Sequence, residues 1–120
     1  MAQGAPLTVV ETPDFAAAAR RLMDETERSS LVLYLALNPE AGDLVPGTGG
    51  VRKLRWGLEG RGKRGGARVI YYFNSERLPL FALDIYAKNE RSDLSEDEKR
   101  HLRQFVKAIA SQAEAKKGKR

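Results

Sequence analysis

Residues 51–88 read VRKLRWGLEGRGKRGGARVIYYFNSERLPLFALDIYAK, and three runs within them decide the fold. In Val51–Trp56 apolar and basic side chains alternate, so Leu54 and Trp56 face one way while Lys53 and Arg55 face the other. That is the period-two signature of a strand with one buried face. Arg68–Phe73 and Leu80–Lys88 continue as β-rich runs. The connection Gly57–Gly66 is long and glycine-rich, whereas Asn74–Arg77 reads as a tight polar turn. Three consecutive strands joined in this way predict an antiparallel meander.

On the N-terminal side, Leu7–Val10 is a short β-prone run. Thr12-Pro13 then reads as a helix cap and first-turn proline, followed by Phe15, Ala18, Ala19, Leu22 and Met23 at helical spacing. Ser29 and Ser30 are candidate caps for Leu31–Leu37, an apolar run whose periodicity fits a buried helix or a buried strand. We read it as a helix ending before Pro39. On the C-terminal side, Ser95-Glu96-Asp97-Glu98 is a capping-box pattern, and Leu102, Phe105, Val106 and Ile109 share one helical face. Strands segregated from helices predict an α+β domain, with a small antiparallel sheet carrying two N-terminal helices and a C-terminal helix on one face. The domain is expected over residues 1–115, followed by a basic, disordered tail over residues 116–120.

At 120 residues the chain has room for one domain with one modest core. Without cysteine it has no disulfide, thiolate metal site or cysteine nucleophile, and a single histidine excludes an imidazole cluster. Neither a leader nor a membrane-spanning stretch is recognisable, so a soluble cytoplasmic protein is expected, without metal or cofactor. The charge is concentrated. Between Gly47 and Arg68 stand Arg52, Lys53, Arg55, Arg61, Lys63, Arg64 and Arg68 against the single acid Glu59, a net +6 inside a chain of net +5. A polyanion-binding surface built locally on an ordinary domain has this distribution, and nucleic acid is the first partner to consider.

Alternation in the second run leaves Val69, Tyr71 and Phe73 inside and sends Ile70 and Tyr72 outward with Arg68. In the third it puts Phe81, Leu83 and Ile85 inside and Asp84, Tyr86 and Lys88 outside. An uncovered face is therefore expected to gather Lys53, Arg55, Arg68, Tyr72, Asp84, Tyr86 and Lys88. Cations neutralise phosphates and tyrosine rings stack on bases, which suits a single-stranded nucleic acid; a solvated basic sheet face has the same pattern. Arg52, Arg61, Lys63 and Arg64 add to the expected RNA-binding set. Cleavage further needs groups that move protons. Arginine stays protonated, so Arg55 and Arg68 are electrostatic clamps, and Lys53, Lys88, Tyr86, Asp84 and Glu90 are the candidates for proton transfer. His101, on the terminal helix, reads as a surface histidine. GTGG and GKRGG lack the strand-to-helix context and closing Lys-Ser/Thr of a phosphate loop, and read as turns.

The stretches NPEAGDLVPGTGGVRKLRW, GKRGGARVIYYF and LFALDIYAKNERSDLSEDEKRHL resemble the RelE/ParE superfamily of bacterial toxins, and most of all its HigB-type branch, over residues 7–112. The resemblance implies a toxin of a type II toxin–antitoxin pair: a metal-independent endoribonuclease that cuts mRNA on the ribosome and is neutralised by a cognate antitoxin, often a helix-turn-helix protein. It makes Arg68 the phosphate-stabilising arginine of the central strand, Lys53 and Arg55 the basic residues of the preceding strand, and Lys88 the basic end of the last strand. Asn89 stands where RelE-like members carry an arginine, and Leu94 or Ser95 where they carry a functional tyrosine. The histidine pair of some HigB-type members is also absent, and Tyr86 is the replacement phenol. A ParE-like poison of DNA gyrase, and an inactive homologue that only binds its antitoxin, are the alternative functions.

Overall fold

The computed structural model describes residues 6–58, 66–91 and 93–118, with side chains as far as Gln112. In chain order the elements are β1 (Val9–Glu11), α1 (Pro13–Leu22), α2 (Glu25–Leu37), β2 (Asp43–Leu44), β3 (Val51–Trp56), β4 (Ala67–Tyr72), β5 (Leu80–Ala87) and α3 (Glu96–Gly118). They form the expected α+β fold around a five-stranded sheet of order β1-β5-β4-β3-β2. The meander β3-β4-β5 is antiparallel as expected, but the sheet as a whole is mixed, because β1 pairs parallel to β5. No helix is long and apolar enough to cross a membrane among the described residues.

Local signals explain most element ends. Thr12 caps α1 by accepting the Phe15 N–H, and its hydroxyl lies 3.1 Å from the carbonyls of Ala82 and Leu83, which ties the start of α1 to β5. The α2 helix begins earlier than Ser29 and Ser30 suggest. Its cap is Asp24, which forms a reciprocal capping box with Glu27. The expected box at the start of α3 is present, with Glu98 N–H donating to Ser95 and Ser95 N–H donating to Glu98. That helix runs to Gly118, three residues into the stretch expected to be a disordered tail; Lys119 and Arg120 lie outside the described residues.

Helices cover both faces of the sheet, which corrects the expectation of a one-sided arrangement. The α1/α2 side buries Phe15, Ala19, Leu31 and Leu35 against Val69, Tyr71, Ala82 and Ile85. The other side buries Val51, Ile70, Tyr72, Leu83 and Tyr86 beneath Leu94 and Val106, with Leu102 and Ile109 of α3 packed against them. The physical reason lies in the sheet itself. Ile70 and Tyr72, sent outward with Arg68, are too apolar to leave in water, and the stripe on α3 covers them.

A bulge adds to this second core. Ile70 pairs with Asp84 and Tyr71 with Ala82, so Leu83 has no partner on β4. The one-residue insertion puts Phe81 and Leu83 on the same side as Tyr86, whereas strict alternation had placed them with Ile85. The Val45–Val51 turn is closed by buried Thr48, whose hydroxyl donates to Val45 O and accepts Val51 N–H. GTGG is thus a hairpin turn; Gly50, at φ +127°, leaves room for the Tyr72 ring.

Candidate functional site

Where α3 leaves the second face uncovered, β-register assembles a row of functional groups. Arg55 of β3 is the Cα partner of Arg68 on β4, and Arg68 is the partner of Tyr86 on β5. The neighbouring row is Lys53, Ile70 and Asp84. Lys88 follows one residue beyond β5, in the same alternation as Tyr86, and its N–H donates to Gly66 O at 3.0 Å. Arg55 and Lys88 are exposed and Arg68 is half-buried. Lys53, Arg55 and Arg68, with Ala41 and Asp43, line a groove of about 460 Å³.

Two guanidiniums directly opposite each other repel, so this pairing costs stability in the empty protein and favours an anion between them. No carboxylate forms an ion pair with Arg55 or Arg68 among the described residues. Lys53 differs: its Nζ is 2.9 Å from Asp93 Oδ1. The hydrogen bond from Lys53, and a second from Leu94 N–H, hold the Asp93 carboxyl below its ordinary pKa.

Other expected members of the site are placed elsewhere. Tyr72 is buried beneath α3 and Gly50, so it offers no ring to a base. Arg52 points to the α1/α2 side, where its Nη1 donates to Gly42 O at 2.8 Å and Glu40 O at 3.2 Å; it braces a loop and does not line the groove. Arg61, Lys63 and Arg64 lie outside the described residues. Asp84 is paired with Arg91 at 2.7 Å and Glu90 with Arg21 at 2.7 Å, so both carboxylates are engaged outside the groove. His101 is exposed on α3 and lines a different cavity, of about 520 Å³, between the start of α1 and α3.

Tyr86 is in the row but not at the surface. It is 3% exposed, and its hydroxyl is buried without a hydrogen-bond partner among the described residues. The Arg91 guanidinium lies 4.2 Å from the ring centre, held there by Asp84 and Glu98. Burial, and then the charge of Asp93, push the phenol pKa up. Tyr86 is therefore a platform under Arg91 and no free stacking surface. Sequence reading missed Asp43, Arg91 and Asp93. Asp43 sits on a strand of two residues, and Asp93 meets Lys53 across 40 positions of chain.

No group of three or more His, Asp or Glu side chains suited to a metal occurs among the described residues. The groove can neutralise a phosphodiester from two strands at once, with guanidinium forks from Arg55 and Arg68 and an ammonium from Lys53.

Residues 14–118 match the protein-family model described as the RelE toxin of the RelE/RelB toxin–antitoxin system. Among solved structures, a free-state E. coli toxin RelE, determined as a double arginine-to-alanine mutant, is similar with a TM-score of 0.52 and 16% sequence identity. The alignment covers 73% of this chain and 90% of that one. At that identity the likeness carries the fold.

Proposed function

The chain belongs to the RelE family of toxins, and from that premise we propose that it is an endoribonuclease which inhibits translation by cutting mRNA in the Arg55–Arg68 groove, on the ribosome in the cytoplasm. The observation that supports this most is the register pairing of Arg55 with Arg68, unopposed by any ion-paired carboxylate among the described residues. In such a cut the ribose 2′-hydroxyl attacks the adjacent phosphorus, its proton is taken up, and the 5′-oxygen leaves with a proton. Charge gathers on the pentavalent phosphorus oxygens, where preorganised cations act most strongly. Arg68, at the centre of the row, holds those oxygens; Arg55 and Lys53 grip the flanking phosphates. Lys88, exposed and two residues beyond Tyr86, the β5 partner of Arg68, is the proton-transfer group, since arginine cannot release its proton. Tyr86 supports the row from beneath.

Its antitoxin, a cognate partner of helix-turn-helix type, neutralises this basic groove with complementary charge. The resemblance in NPEAGDLVPGTGGVRKLRW, GKRGGARVIYYF and LFALDIYAKNERSDLSEDEKRHL is the ground for proposing the HigB-type branch.

The test is Arg68→Ala. An exposed-face arginine contributes within about 0.5 kcal/mol to stability, while loss of a transition-state clamp costs about 10²–10³ in rate. Induction of the variant should leave growth unchecked and messages uncut, as mapped by primer extension. A folded variant that still arrests growth removes Arg68 from the mechanism. Intact messages together with DNA damage after induction of the wild type replace the nuclease by a gyrase poison.

A further inference from the structure

Lys53 is the one groove cation ion-paired to a carboxylate among the described residues, and that carboxylate comes from outside the sheet. Asp93 sits in the β5–α3 connection, with its side chain 57% exposed, and reaches the Lys53 ammonium at 2.9 Å. The connection is fixed on either side: Arg91 is clamped over Tyr86, and Leu94 is buried in the second core. Asp93 is thereby held over the groove edge with one oxygen accepting from both Lys53 and its own neighbour, Leu94 N–H. A carboxylate on a lysine in a phosphate groove presents an anionic oxygen where a phosphate oxygen would bind.

We propose that Asp93 is a built-in competitor for RNA. It occupies Lys53 in the empty protein and gives it up when a phosphodiester enters, so it sets a brake on RNA affinity. This rests on the nuclease reading and adds to it a specificity-determining residue. Exposure makes the exchange feasible, since an ion pair in water is weak and screened, whereas a phosphodiester arrives already gripped by Arg55 and Arg68. Asp43, the Cα partner of Lys53 across β2–β3, adds a second negative charge at the same edge.

The experiment measures equilibrium binding of a fluorescent single-stranded RNA, 2′-methoxy at every position so that it cannot be cut, to the full chain. Asp93→Asn keeps the Leu94 N–H acceptor and removes the charge. It should bind about two- to fivefold tighter than wild type, the worth of an exposed ion pair. Its affinity should also fall more steeply with salt, by about one extra phosphate contact. In a Lys53→Met background the same change should leave affinity unaltered.

Equal or weaker binding by a folded Asp93→Asn variant overturns the brake. So does a gain that persists without Lys53. Wild type that binds this RNA and cuts messages while Asp93→Asn binds no tighter refutes the brake alone. Absence of RNA affinity in both proteins, with no cutting on ribosomes, sinks the nuclease reading and the brake with it. Unchanged affinity with lost cutting would make Asp93 a group of the reaction and not a competitor.

Discussion

Tyr71→Phe removes one oxygen atom from a fully buried side chain, and the structure allows its cost to be worked out. The Tyr71 hydroxyl accepts the Gly42 N–H at 2.8 Å and donates to Pro39 O at 2.8 Å. Its ring lies so close to Gly42 that a Cβ there would stand 3.0 Å from it. No water takes the place of a hydroxyl in so tight a contact. The variant leaves the buried Gly42 N–H without an acceptor, at about 1–3 kcal/mol, and gives up a second, less buried bond worth about 1 kcal/mol. We expect a loss of about 2–4 kcal/mol, which in a domain of this size lowers the melting temperature by roughly 8–20 °C. Urea unfolding followed by circular dichroism should show the midpoint falling with an unchanged slope. A change below about 0.5 kcal/mol would refute the reasoning, because it would mean the Pro39–Gly42 loop rebuilds its hydrogen bonds without the phenol. The variant should still bind RNA, since no atom of Tyr71 reaches the groove, though Asp43 at its wall will be less firmly held.

Gly50→Ala should cost about 2–4 kcal/mol, because φ is +127° and the new Cβ would stand 3.0 Å from the Tyr72 ring; thermal melting of the purified variant measures it. Burial raises the phenols of Tyr71, Tyr72 and Tyr86 above the ordinary 10.0. These groups ionise first in the unfolded chain, so their stabilising contribution is complete below pH 10 and is lost as pH climbs through the raised folded values. Ultraviolet difference titration should find their ionisation delayed, and denaturant midpoints should drop steeply on the alkaline side; phenols that all ionise near pH 10 in the folded protein contradict this.

Much of the molecule could be read without coordinates where the cause is local. Lys53–Trp56 takes the expected faces of β3 because those four residues alternate cleanly between basic and apolar. Thr12-Pro13 and Ser95–Glu98 mark helix starts because capping is settled within four residues. Asp24 and Glu27 carry the same signature, but with only two residues between α1 and α2 the pattern was masked by the end of the preceding helix. Distant causes were not legible. The β5 bulge is tied to Thr12, about seventy positions away, and the side taken by α3 depends on which apolar set remains uncovered. Tyr72 is instructive. Its outward direction was right, and its accessibility was wrong because the neighbouring Ile70 already required a cover on that face.

The same partition fixes the site. Arg55, Arg68 and Lys53 were assigned to one face by alternation, and the coordinates place them there. Arg52 was grouped with them by charge, yet its even position in β3 sends it to the opposite side, where backbone carbonyls are its partners.

The unpaired Leu83 has a consequence for comparing relatives. An extra residue accommodated in this way changes the odd-even count of β5 while leaving every flanking side chain on its side of the sheet. A relative lacking it will superpose in space but will need a gap between Ala82 and Asp84 in any column-by-column alignment. Without that gap its counterpart of Tyr86 falls on Ile85 and its counterpart of Lys88 on Ala87, so residues of the Arg68 face are matched to residues buried on the opposite side of the sheet.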